Sequence, residues 1–156
     1  MMNNESEKPL VGAAGRGREA SERSDDARHD RRDGVKGLSL LLVEDDEVIR
    51  ESFLDWLASV LLDSDIVGVS SDAVSSLRPA RLPQVIVVDV ALPGDGGIDI
   101  VRSLHHVFPA AQIVALVVGG ERQPCEAIKS AGAEACLPIW KVHEGLVPIV
   151  RRLGRA

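Results

Sequence analysis

Beyond residue 37 the chain is punctuated by five short aliphatic runs, at residues 38–43, Asp65–Val69, Val85–Asp89, 112–118 and 134–138. Each is continuous rather than alternating, which is the pattern of a strand buried on both faces. Between them the apolar spacing turns helical. Ile49, Phe53, Trp56, Leu57, Val60 and Leu61 recur along one helical face, and Asp46 and Glu47 place negative charge at its N-terminus, where a helix favours it. A third helix is predicted over residues 97–107, stopping before Pro109, and a fourth over 121–131, with Pro124 in its first turn and Gly132 closing it. In the last helix Leu146, Ile149, Val150 and Leu153 share a face, and Pro148 predicts a late start or a kink. Strands alternating with helices give an α/β fold, a parallel sheet covered on both faces. No internal repeat is present beyond that alternation.

Residues 1–37 have a different character. They are polar and glycine-containing, with few large apolar side chains beyond Leu10, Val11 and Val35, and they carry eight basic and eight acidic residues. Such a segment cannot offset the entropy of ordering, so it is predicted to be a disordered tail ahead of a folded domain at 38–156. Residues 12–17 read GAAGRG, but no strand precedes them to make a phosphate cradle. Translation from Val35 through an alternative start codon is a plainer reading of this region. Length predicts one domain, with any output module expected on another polypeptide.

Charge and cysteine content narrow the function. The whole net charge of −6 falls on residues 38–156, which argues against sequence-independent binding to nucleic acid. Cys125 and Cys136 read as small buried residues of a cytosolic protein rather than as a zinc site or a disulfide. No apolar stretch approaches the roughly 18 residues of a membrane span, so a soluble cytoplasmic protein is expected.

The chemistry lies at strand ends. In open parallel sheets ligands bind outside the carboxyl ends of the strands. The first run ends in Glu44 and Asp45, and the third, 45 positions later, ends in Asp89. An aspartate after a strand is often an ordinary turn or cap residue, but both motifs at neighbouring strand ends place three carboxylates together. They repel one another and raise one another's pKa unless a cation lies among them. The expectation is a Mg2+ site beside a spare nucleophilic oxygen.

These motifs, VEDDEVIRESF and VIVVDVALPGDGGIDIV, resemble those of the receiver domain of bacterial two-component response regulators, over roughly residues 38–154. The resemblance implies a flavodoxin-like (βα)5 doubly wound sheet with strand order 2-1-3-4-5. It implies phosphoryl transfer to Asp89 from a sensor histidine kinase or phosphotransfer protein, with Mg2+ held by Asp45, Asp89 and the backbone carbonyl of Ala91, and Glu44 acting through water. Leu92, Pro93 and Gly94 match the turn after the acceptor, and Gly97 the glycine before the third helix. A receiver of this kind modifies itself rather than turning over a substrate. It signals to a downstream protein partner through its fourth and fifth helices.

Three positions depart from the family. Val117 stands where a Thr or Ser is usual, Ile139 where a Lys is usual, and Cys136 where an aromatic residue changes rotamer; the chain has no tyrosine. Lys141 lies two residues beyond the usual lysine position and would compensate only if the loop were rebuilt. A pseudo-receiver, the same fold used as a phosphorylation-independent interaction module, is therefore the alternative. A haloacid-dehalogenase-type hydrolase expects a second Asp where Ala91 stands. His105 and His106 lack metal-ligand spacing and are expected at the surface. Arg151, Arg152 and Arg155 are expected to complement the end of the last helix, and Trp140 either packs in the core or anchors a partner.

Overall fold

The computed structural model describes residues 37–90, 96–119 and 122–155. The predicted tail up to Lys36, with its GAAGRG segment and Val35, lies outside the described residues, as do Ala91, Leu92, Pro93 and Gly94. Five strands form the sheet: β1 (Ser39–Val43), β2 (Asp65–Val69), β3 (Val85–Asp89), β4 (Gln112–Val117) and β5 (Ala135–Pro138). All neighbours are parallel, in the order β2-β1-β3-β4-β5. The helices are α1 (Glu47–Val60), α2 (Gly96–Val107), α3 (Arg122–Ala131) and α4 (Val142–Leu153). Two 3-10 segments, η1 (Ser71–Ser76) and η2 (Ile139–Lys141), complete the described elements.

The strands form because their side chains bury on both faces, and alternate residues divide the core in two. Leu41, Val43, Ile86, Val88, Ile113, Ala115 and Val117 face α2, α3 and η1, meeting Val101, Leu104, Ile128 and Val74. Leu40, Leu42, Val85, Val87, Val114 and Leu116 face the other way, against Leu57 of α1, Leu61 just after it, and Leu146, Val150 and Leu153 of α4. The two-sided burial is what the unbroken aliphatic runs encode.

Several expectations change in detail. Between β2 and β3 the helical stretch implied by the alternation is only η1, with Val74 its one buried residue. Serines at 70, 71, 75 and 76 compete for backbone hydrogen bonds, and Pro79 and Pro83 follow, so a longer helix has neither an apolar stripe nor free donors. Ile49, assigned to the core face of α1, is exposed, and Leu57 is the residue of that helix that is fully buried. Pro148 does not delay α4, which begins six residues earlier at Val142. Pro148 and Glu144 both lie on the exposed side of α4, so water can reach the carbonyl that the proline leaves without an intrahelical partner.

The largest correction concerns the cysteines. Cys125 on α3 and Cys136 on β5 form a disulfide, with their Cα atoms 5.8 Å apart. Ala115 and Cys136 are register partners across β4 and β5, and the face they share is the one α3 covers. Two cysteines read as isolated in sequence are thus neighbours within one layer of the fold.

Glycine is required where α2 begins. A Cβ on Gly97 would lie 2.8 Å from the Val90 Cβ and 2.9 Å from the Val90 carbonyl oxygen. Gly97→Ala is therefore expected to cost about 1–3 kcal/mol through forced displacement of packed atoms, and Leu104→Ala about 2–5 kcal/mol through the cavity it leaves. Urea denaturation of each variant against the parent measures both losses.

Candidate functional site

Hydrogen bonds that continue the sheet past its strands position the acidic residues. Val43 pairs with Val88 in register across β1 and β3, which brings the next residues, Glu44 and Asp89, side by side at the carboxyl edge. The Glu44 N–H donates to the Val69 carbonyl at 3.0 Å, prolonging the β1–β2 ladder, and the Val90 N–H donates to the Leu116 carbonyl at 3.0 Å, prolonging β3–β4. Each acid is thereby pinned by a backbone bond on its outer side. The guanidinium of Arg50 adds a third tie, donating to the Glu44 carbonyl oxygen at 2.8 Å.

Glu44 and Asp89 hydrogen-bond through their side chains. Such a bond needs one proton between two acids, and burial assigns it to Glu44, which is 7% exposed. Desolvation is the main cause that lifts the Glu44 pKa to about 6, and the charges of Asp89 and Asp45 push the same way. The Asp46 N–H, donating to Glu44 Oε1 at 2.9 Å, opposes the rise. Asp46 itself is the N-cap of α1, its carboxylate accepting from the Ile49 N–H at 3.0 Å. Of three consecutive acids, one is buried against Asp89 and one caps the helix.

Asp45 is engaged elsewhere. Its carboxylate accepts from the Ser71 N–H at 2.7 Å and from the Ser71 hydroxyl at 3.0 Å, at the start of η1. Among the described residues no three His, Cys, Asp or Glu side chains are gathered closely enough to hold a metal ion. The donor set is nevertheless of the kind a hard divalent cation takes: carboxylate oxygens close enough together that burial, and after it their mutual repulsion, raise the Glu44 pKa to about 6. Sequence reasoning missed Ser71, whose only signal was its place two residues past β2, on the rim that Asp45 also occupies.

The remaining positions line the ends of β4 and β5. Val117 is buried and offers no hydroxyl. Ile139, 40% exposed, opens η2, and Lys141 closes it on the surface. Trp140, between them, is 60% exposed, so it does not pack in the core. Val118, just past β4, is 65% exposed. His105 and His106 are both exposed on α2; the His105 ring lies against Gly132, whose Cβ, if present, would be 2.8 Å from it. Arg151 serves a helix end, though not its own: its guanidinium donates to the Val60 carbonyl at 3.2 Å, at the C-terminus of α1.

Comparison with known proteins gives a consistent result. The family model for the response regulator receiver domain matches residues 40–138. The response regulator GacA of Pseudomonas viridiflava is 31% identical over 99 residues, which cover 62% of this chain and 45% of that protein. The luminescence regulatory protein LuxO of Vibrio campbellii is 29% identical over 79 residues, covering 51% of this chain and 17% of that protein. The chain thus spans less than half the length of these curated relatives. In fold it is similar to a putative response regulator from Chloroflexus aurantiacus, with a TM-score of 0.65 at 22% identity, covering 78% of this chain and all of that one. It is also similar to the chemotaxis response regulator CheY4 of Vibrio cholerae, with a TM-score of 0.62 at 18% identity, covering 75% and 98% of the two chains.

The raised pKa of Glu44 sets a pH dependence. Folded, Glu44 releases its proton near pH 6, against 4.5 for an unperturbed glutamate. The native state therefore holds a proton that the unfolded chain has lost between those values. Its contribution to stability is complete below about 4.5 and is lost as pH rises through about 6. Glu44→Gln keeps the acceptor for the Asp46 N–H and removes the titration. Urea midpoints across this range should show the parent losing stability relative to Glu44→Gln; a constant difference would contradict the assignment.

Proposed function

The chain belongs to the response regulator receiver family, and on that premise we propose that it accepts a phosphoryl group on Asp89. The donor is a sensor histidine kinase or a phosphotransfer protein, Mg2+ is the cofactor, and the signal passes to a downstream protein by direct contact. The observation that carries this reading is the Glu44–Asp89 pair, pinned at the carboxyl edge between β1 and β3. The domain acts on itself rather than as a turnover enzyme, and a cytoplasmic location goes with this role. Among the described residues no helix is long and apolar enough to cross a membrane.

In the proposed transfer an Asp89 carboxylate oxygen attacks phosphorus in line with the bond to the donor nitrogen. That bond breaks, and its electron pair leaves with the donor imidazole. Glu44, Asp45 and Asp89, with the Ala91 carbonyl that family membership adds, would hold the Mg2+, which neutralises charge on the phosphoryl oxygens. While Glu44 keeps its proton, it donates that proton to Asp89 and ties up an oxygen the nucleophile needs. Loss of the proton ends that donation. Ser71 opposes assembly of the site by holding Asp45 through two donors.

A second reading has its own support. Val117 and Ile139 supply neither a hydroxyl donor nor a cation where the incoming phosphoryl oxygens would lie. A lysine about 4 Å away is worth on the order of 4 kcal/mol of raw Coulomb energy at an effective dielectric near 20, and a positioned donor about 3 kcal/mol. A chain lacking both, with Asp45 engaged by Ser71, also suits a pseudo-receiver that binds its partner without phosphorylation.

Intact mass after incubation with a small phosphodonor and Mg2+ separates the two readings. The receiver gains the mass of one phosphoryl group and Asp89→Asn gains none; an unmodified parent, even with its kinase, would leave the pseudo-receiver. On the receiver reading, Val117→Thr combined with Ile139→Lys is expected to speed modification by about 10²-fold or more, read from the same mass time course. Ser71→Ala, which removes one of the two donors to Asp45, is expected to tighten Mg2+ binding by roughly threefold to tenfold, measured by calorimetric titration.

A further inference from the structure

The helices bury their side chains unevenly, and α1 buries only Leu57. Val101 and Leu104 of α2 are completely buried, and α4 buries Val142, Leu146, Val150 and Leu153. Among the described side chains of α3, only Ile128 is buried, at 4% exposure, with Cys125 and Ala131 partly buried beside it. This helix also covers the edge of the sheet, where β5 has four residues and one neighbouring strand. The Cys125–Cys136 bond joins α3 to β5 across a sequence separation of 11. The chain has no other cysteine, so no alternative disulfide competes within it.

Neither cysteine is fully buried, and access of an external thiolate is what disulfide exchange requires. Past Cys136, the strand runs through Leu137 and Pro138 directly into η2, which carries the exposed Ile139 and Trp140. The bond therefore tethers a helix with one buried side chain among those described to the strand that presents an apolar rim.

We propose that Cys125 and Cys136 form a reversible thiol–disulfide site that sets the docking of α3 on β5, with a reducing dithiol, small or protein-borne, as its reactant. A thiolate of the dithiol attacks one sulfur, the S–S bond breaks, and the other cysteine leaves as a thiolate that takes up a proton. The second thiol of the dithiol then displaces the first cysteine from the mixed disulfide. Two electrons and two protons pass to the cysteine pair, and the dithiol is left as a disulfide. Oxidation runs the same exchange in reverse. In the oxidised protein α3 is fastened; in the reduced protein Ile128 and its partly buried neighbours hold it alone, and it opens locally. The site operates independently of Asp89, so its test does not depend on phosphorylation.

The experiment equilibrates the full chain in graded mixtures of reduced and oxidised dithiothreitol, traps free thiols with iodoacetamide for mass analysis, and follows amide hydrogen exchange. Both cysteines are expected to become labelled together in one two-electron transition. Amides of residues 122–131 should then exchange at least about tenfold faster in the reduced protein, while those of α1 and α4 are unchanged. Cys125→Ser and Cys136→Ser should each match the reduced parent in either buffer. Reduction of the parent needs no substitution, so the comparison stands even if a variant fails to fold. Three results would overturn the proposal: labelling of both thiols under oxidising conditions, resistance of the bond to native-state reduction, or equal exchange of α3 in the two redox states.

Discussion

Two carboxyl groups held against each other at the edge of an apolar sheet are the constraint on which this molecule's function turns. The register of β1 against β3 leaves Glu44 and Asp89 no choice but proximity. Ladder bonds on their outer sides prevent either from moving away. In water such a pair would separate; here burial, and after it mutual repulsion, raise the Glu44 pKa to about 6. On the proposed reading a divalent cation would relieve the same crowding that a proton relieves at lower pH.

The other half of the rim has taken a different course. Beside the acids, the ends of β4 and β5 present Val117, Val118, Ile139 and Trp140 instead of a hydroxyl and an ammonium. One half of the rim carries the carboxylates on which the proposed transfer rests, while the other half is apolar. Exposed Val48 and Ile49 at the start of α1 extend this character to the far side of the site. Apolar side chains that surround a polar centre and remain in water favour contact with another surface.

The sheet was legible because each strand is an unbroken aliphatic run, and all five lie within a residue of their predicted ends. The acidic motif was legible for the same reason, since a carboxylate directly after a buried strand has one direction in which to emerge. What escaped notice depended on information outside such runs. Cys125 and Cys136 were read by cell compartment, whereas the deciding facts were the helical spacing of Cys125, Ile128 and Ala131 and the face of β5 on which Cys136 stands. The attachment of Asp45 to Ser71 depends on side-chain rotamers and on the shortness of η1, neither of which periodicity reports. Ile49 fitted the apolar stripe of α1, but in the first turn of the helix that stripe stays exposed.

The two tryptophans stand in contrasting settings. Trp56 stacks on Phe53 with ring centroids 5.5 Å apart and meets the His143 ring edge-on at 5.1 Å. Trp140 stands in solvent on η2. With no tyrosine in the chain, its near-ultraviolet emission comes almost wholly from these two indoles. One responds to the imidazole that joins α1 to α4, and the other to whatever approaches the rim. The protein's own fluorescence therefore resolves its frame from its working edge without any attached dye.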